Sequence, residues 1–256
     1  MKKALLVVSF GTSHNETRKK TIEACENKIS KQFSDYDFYR AYTSDKIIQK
    51  IKNREDINID NPIKAIERLY KSGYEEVIIQ PFHIISGKEF NKLKEVVELY
   101  NNKFKRLILG RPLLTSLDDI KEVVQAIKFQ IPKIKDNEAI LFMGHGTSHK
   151  SHSIYKAMEA ILREDEENTY IATVEGYPDI NYVVKILKEK NIKTVNLMPL
   201  MLTVGYHGIK DMVGDNEESW KSILECNEFK VNTHLIGLGE NPRIQDKFVK
   251  HACECK

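Results

Sequence analysis

The chain has 256 residues, with 40 Lys+Arg against 37 Asp+Glu for a formal net charge of +3, and it is 41% hydrophobic and 30% charged. That composition excludes disordered and fibrous classes. A charge this small, with no block of five Lys or Arg, leaves no footprint for nucleic acid, and no apolar run nears the roughly 20 residues that span a bilayer. The apolar start, Ala4-Leu5-Leu6-Val7-Val8, is short and has no small-residue cleavage site after it, so it reads as a buried strand rather than a signal peptide. Cys25, Cys226, Cys253 and Cys255 are too few and too scattered for a disulfide framework and suit a reducing cytoplasm.

Short β-branched runs alternate with longer amphipathic ones, the pattern of an α/β protein with parallel sheets. A strand is predicted over 3–10, then a helix over 13–33 with Thr12 or Ser13 as its cap. A second strand covers 37–42. Asn61-Pro62 opens a helix that Gly73 closes. Strands at 76–81 and 106–110 flank a helix over 89–100, and 117–128 is helical. A second series follows: strand 138–144, helix 151–163, strand 170–174, a helix from Pro178-Asp179 to about Lys190, and strand 194–199. Helical pieces near 209–212 and 217–225, a strand at 230–236 and a helix from about Asn241 complete it.

The two series are copies of one another. The run from Ala4 to His14 aligns with the run from Ala139 to His149, both ending Gly-Thr-Ser-His, and Val77-Ile78-Ile79-Gln80-Pro81 matches Val195-Asn196-Leu197-Met198-Pro199. The expectation is therefore two similar α/β lobes, 1–130 and 137–256, each a parallel sheet flanked by helices, with a ligand cleft between them.

The copies differ where it matters. Phe10 of the first becomes His145 in the second, inside Gly144-His145-Gly146, where flanking glycines turn the backbone sharply and leave an imidazole uncovered. Glu175 directly follows the strand at 170–174, and His207 follows the strand at 194–199 after a short loop. All three leave carboxyl ends of parallel strands, the edge where open α/β sheets bind ligands. Two imidazoles and a carboxylate suit a borderline divalent metal, and three protein ligands leave positions open, as a working rather than structural site requires. Glu89 is the repeat counterpart of His207, since each lies the same distance past the equivalent prolines Pro81 and Pro199. That places it across the cleft as a second catalytic candidate, although a glutamate in a first helical turn is also favoured by the macrodipole alone. His83 is a loop or cleft-lining residue, while His14, His149 and His152 read as polar residues at helix starts. The tail His251-Ala252-Cys253-Glu254-Cys255 has soft ligands at close spacing but reads as adventitious at a chain end. The Gly-His-Gly turn lacks the third glycine of a dinucleotide fingerprint, and there is no Gly-x-Ser-x-Gly elbow.

The opening Lys-Lys-Ala-Leu-Leu-Val-Val-Ser-Phe-Gly-Thr-Ser, the turn Phe142-Met143-Gly144-His145-Gly146, the run Leu197-Met198-Pro199-Leu200-Met201-Leu202 and the segment Gly237-Leu238-Gly239-Glu240-Asn241-Pro242 resemble, in order and over nearly the whole chain, the anaerobic sirohydrochlorin cobaltochelatases of cobalamin biosynthesis. The resemblance implies a two-lobed chelatase fold, shared with ferrochelatases, that inserts Co²⁺ into sirohydrochlorin or precorrin-2, with the metal held by His145, Glu175 and His207. It implies His145 as principal base as well as ligand, Glu89 assisting proton removal, Co²⁺ as substrate metal with Fe²⁺ or Ni²⁺ as in vitro substitutes, and no organic cofactor. The expected partners are the tetrapyrrole and a divalent metal, with neither nucleic acid nor membrane, in the cytoplasm; a homo-oligomer is compatible. Relatives often carry an acid where this chain has Tyr206, which bears on metal preference. The alternatives are a sirohydrochlorin ferrochelatase making sirohaem and a non-catalytic metal or tetrapyrrole carrier.

Overall fold

Residues 4–8 and 139–143 are apolar at every position, which a strand tolerates only when both faces of its sheet are covered. A computed structural model describes residues 2–256, except for the side chains of Tyr206 and His207, and places both runs at the centres of buried parallel sheets. In chain order the first elements are β1 (Lys3–Ser9), α1 (Asn15–Arg18), a π-helical turn (Lys19–Glu23) and α2 (Ala24–Gln32). There follow β2 (Asp37–Tyr42), α3 (Asp45–Glu55), α4 (Pro62–Lys71), β3 (Glu76–Pro81), α5 (Lys88–Tyr100) and β4 (Arg106–Leu109). The second series is α6 (Leu117–Ile127), β5 (Glu138–Gly146), α7 (Ser153–Asp165), β6 (Thr169–Glu175), α8 (Ile180–Glu189), β7 (Thr194–Pro199), α9 (Tyr206–Val213), α10 (Trp220–Cys226) and β8 (Lys230–Thr233). The chain ends in α11 (Pro242–Cys253).

The duplication read from the sequence is a duplication of topology. One sheet runs β2-β1-β3-β4 and the other β6-β5-β7-β8, all pairs parallel. Equivalent loops carry equivalent hydrogen bonds: Phe82 N–H donates to the Val8 carbonyl at 2.7 Å, and Leu200 N–H to that of Met143 at 2.8 Å. In the first unit, Leu6, Val8, Ile66, Leu69, Val77 and Ile79 pack together, while Leu141, Met143, Leu187, Leu197, Met212 and Trp220 do so in the second. Edge strand β6 is guarded by Glu159 of α7, whose carboxylate accepts the Ile171 N–H at 2.6 Å.

The compact units are Met1–Thr115 with Pro242–Lys256, and Ser116–Asn241, rather than 1–130 and 137–256. Helix α6 belongs to the second unit, where it packs against α7 and where Asn241 Nδ2 donates to the Ala126 carbonyl at 2.9 Å. Helix α11 belongs to the first. It packs on α2, places Phe248 4.7 Å from Phe82, and presents the Cys255 and Lys256 carbonyls to the Arg106 guanidinium at 2.6 and 2.7 Å. His251 is thus a buried part of a docked helix and Cys255, two residues past its end, is buried as well, rather than lying in a frayed tail.

Local chemistry explains the element ends. Asn61 accepts the Lys64 N–H at 3.1 Å with Pro62 at the first helical position, and Gly73 stops α4 at φ +74°. The first helix starts later than predicted. Its N-cap is His14 without a side-chain cap bond, because Thr12 Oγ1 instead accepts the His14 N–H at 3.3 Å. Among the described residues, no helix is long and apolar enough to cross a membrane.

Candidate functional site

β5 runs two residues further than the sequence predicts, to Gly146, and this extension builds the site. Gly146 pairs in register with Glu175, the last residue of β6. It adopts φ +80°, and a β-carbon there would lie 1.8 Å from the Glu175 carbonyl oxygen. Only glycine lets the two strand ends close to this distance. His145 and Glu175 therefore lie at the carboxyl ends of adjacent strands, and both are exposed where the strands behind them are buried. His145 Nδ1 lies 3.3 Å from the Gly146 carbonyl, an arrangement that favours the Nδ1–H tautomer and leaves the Nε2 lone pair available to a metal or proton.

His207 is the second residue of α9, after an N-cap glycine, Gly205, in extended conformation. Its side chain, with that of Tyr206, lies outside the described residues. Glu89 occupies the same place in the first unit: it is the second residue of α5, after the N-cap glycine Gly87. Its carboxylate pairs with Lys92 at 2.8 Å. Among the described residues, no three His, Cys, Asp or Glu side chains form a metal-binding group. The structure thus brings the backbones of His145 and Glu175 together in the second unit and places Glu89 in the first.

Two further residues brace the site from α7 and its lead-in. Gly146 N–H donates to the Tyr155 hydroxyl at 3.4 Å, and burial pushes that phenol above its ordinary range, with the Gly146 bond opposing. The Tyr155 ring lies 5.3 Å from that of His152, whose Nε2 donates to the Tyr177 carbonyl at 2.7 Å. Tyr155 and His152 were not legible as site residues in the sequence, because their partners are backbone groups distant along the chain. His149, by contrast, is a local cap: its Nδ1 accepts the Ser151 N–H at 3.2 Å. Beyond Glu175, Tyr177 is 54% exposed, stacks obliquely on Tyr182 at 4.8 Å, and has Lys156 Nζ 5.6 Å from its ring centre. An open aromatic face with a cation beside it suits a flat ring bearing carboxylates.

In the first unit, neither ring nitrogen of His83 has a hydrogen-bond partner. Burial pushes this imidazole down to about 4, against the pull of Glu89, and Phe90 lies edge-on to it at 6.2 Å. A cavity of about 420 Å³ lined by Phe90, Val97, Leu109 and Arg111 belongs to this unit and includes none of the three ligand candidates.

A family model described as "Cobalt chelatase (CbiK)" matches residues 3–255. The sirohydrochlorin cobaltochelatase of Salmonella typhimurium is 41% identical over 251 residues, which cover 98% of this chain and 95% of that protein. The sirohydrochlorin cobaltochelatase CbiKC of Nitratidesulfovibrio vulgaris is 31% identical over 253 residues, 98% of this chain and 89% of that one. Among solved structures, SirB from Bacillus subtilis with Fe³⁺ superposes with a TM-score of 0.65 at 16% identity, covering 100% of this chain and 96% of SirB, a likeness of fold.

Proposed function

The chain belongs to the cobalt chelatase (CbiK) family and is a metal chelatase, and we propose that it inserts Co²⁺ into sirohydrochlorin through His145, Glu175 and His207. The observation that supports this site is the in-register closure of Gly146, the neighbour of His145, on Glu175 at the carboxyl ends of β5 and β6.

The chemistry follows from charge balance. A neutral macrocycle core that takes up Co²⁺ must release two pyrrole N–H protons, so metal donor and proton acceptor have to work at one place. His145, with Nδ1 directed at the Gly146 carbonyl, presents Nε2 as either metal ligand or base. One nitrogen cannot do both at once, so His145 accepts a pyrrole proton only after the metal has moved toward the ring. Glu175 and His207 complete a three-ligand set that leaves coordination positions open to the incoming nitrogens. Glu89, at the matching helix start of the first unit, is the candidate for the second proton. The ligand set also takes Fe²⁺ and Ni²⁺, with affinities that follow the general divalent order, so supply in the cell decides among them. Tyr177 and Lys156 supply an aromatic face and a cation for a macrocycle edge and its carboxylate. Four scattered cysteines suit a cytoplasmic setting.

The test is the visible spectrum of sirohydrochlorin under anaerobic conditions with Co²⁺, comparing the wild type, His145→Ala and no enzyme, with Fe²⁺ in parallel. Rapid conversion by the wild type, lost in the variant, supports the assignment. A wild type that binds the ring yet only matches the uncatalysed rate replaces the chelatase with a carrier.

A further inference from the structure

The segment carrying Glu175 is a short loop with few anchors. Residues 174–177 are all exposed. At its base, Thr173 donates to the Pro178 carbonyl from its N–H at 2.9 Å and its hydroxyl at 3.4 Å. At its crest the Tyr177 carbonyl accepts from His152 Nε2 at 2.7 Å, across 25 residues of sequence. Between these points Gly176 adopts φ +104°, and a β-carbon there would lie 2.8 Å from His152 Cε1. The bare glycine backbone lets the imidazole lie flush against the loop.

The same ring reaches the other half of the site. It packs at 5.3 Å on Tyr155, whose hydroxyl receives the Gly146 N–H next to His145. Because the Tyr177 carbonyl can only accept, Nε2 carries the proton, and Nδ1 is buried with no hydrogen-bond partner. The ring is thus directed wholly at the loop crest rather than outward as a ligand.

We propose that His152 is a positioning residue for metal delivery, holding the Glu175 loop against the His145 turn through the Tyr177 carbonyl and the Gly176 backbone. This rests on the ligand roles of His145 and Glu175 given above. Outer-shell groups that orient a metal's ligands change its affinity by about 10–100-fold when removed, which sets the size of the expected effect.

The test is anaerobic Co²⁺ titration of the full chain by calorimetry, with the KM for Co²⁺ measured alongside. His152→Phe keeps a ring against Gly176 and Tyr155 but removes the donor. His152→Gln keeps a donor able to reach Tyr177. The expected result is a Kd for Co²⁺ raised about tenfold in His152→Phe, a matching rise in KM, an unchanged melting temperature, and recovery of most affinity in His152→Gln. Unchanged Co²⁺ affinity in His152→Phe overturns the proposal, as does an equal loss in both variants. If His152→Phe does not fold, Gly176→Ala, which drives a methyl into the ring, is expected to raise the Kd in the same way, and an unchanged Kd there overturns it. A wild type that binds no Co²⁺ overturns the ligand assignment itself, a result distinct from any difference between the variants.

Discussion

Gly146 and Glu175 are in-register partners on neighbouring parallel strands, so close that no side chain fits at position 146. Gly11 is the equivalent residue of the first unit, at φ +89°, where a β-carbon would lie 2.5 Å from the Tyr42 ring. Alanine at either position costs about 1–2 kcal/mol for the left-handed backbone alone, and the contacts add to this. The two variants should separate stability from function. Gly11→Ala is expected to lower the melting temperature with Co²⁺ affinity retained, and Gly146→Ala to lower both. Differential scanning calorimetry beside Co²⁺ titration checks the pair.

His145→Ala is expected to reduce kcat for Co²⁺ insertion by about 10²–10⁴-fold, the range for loss of a positioned base. Glu175→Gln keeps the shape and removes the charge, so it should weaken Co²⁺ binding while sirohydrochlorin binding persists. Separate titrations with metal and with tetrapyrrole distinguish these effects.

His83 carries a pH dependence of stability. Its folded-state value, about 4, lies below the ordinary 6.5, so the unfolded chain binds this proton more readily. The stabilisation is present above about pH 6.5 and is lost as pH falls toward 4, amounting to about 3 kcal/mol. His83→Phe keeps a ring beside Phe90 and should flatten urea-derived stability across that window, with little change at pH 7.5.

Arg106 ties the Cys255 and Lys256 carbonyls to Glu76, which is buried and also accepts from the Tyr36 hydroxyl. Arg106→Ala leaves Glu76 without its cation and the chain end without its clamp. A partly exposed guanidinium discounts the loss to about 2 kcal/mol. Thermal denaturation and limited proteolysis, with early cutting after α10, measure it.

The central strands β1 and β5 were legible in the sequence because parallel sheets buried on both faces leave uninterrupted apolar runs, and β2, β3 and β7 also fall where predicted. The repeat also singled out His145 as a candidate, since one copy exchanges Phe10 for a histidine between glycines. Helix α3 escaped notice because its apolar stripe is only Ile47, Ile48 and Ile51, of which Ile51 alone is buried. The unit boundaries escaped for a different reason. An amphipathic pattern shows that α6 and α11 bury a face but not which sheet receives it. His152 was read as a polar helix-start residue, since a bond to a backbone carbonyl leaves no trace in residue type.

The assignment of α11 to the first unit has a consequence for synthesis on the ribosome. The sheet β2-β1-β3-β4 emerges early, yet the helix bearing Phe248 and His251 is translated only after the whole of the second unit. Until then Phe82 and its neighbours lack their cover, so the first unit completes its core only after the second unit has been synthesised. A nascent chain arrested near residue 130 should therefore remain open to chaperones and proteases, although all four of its strands have been made.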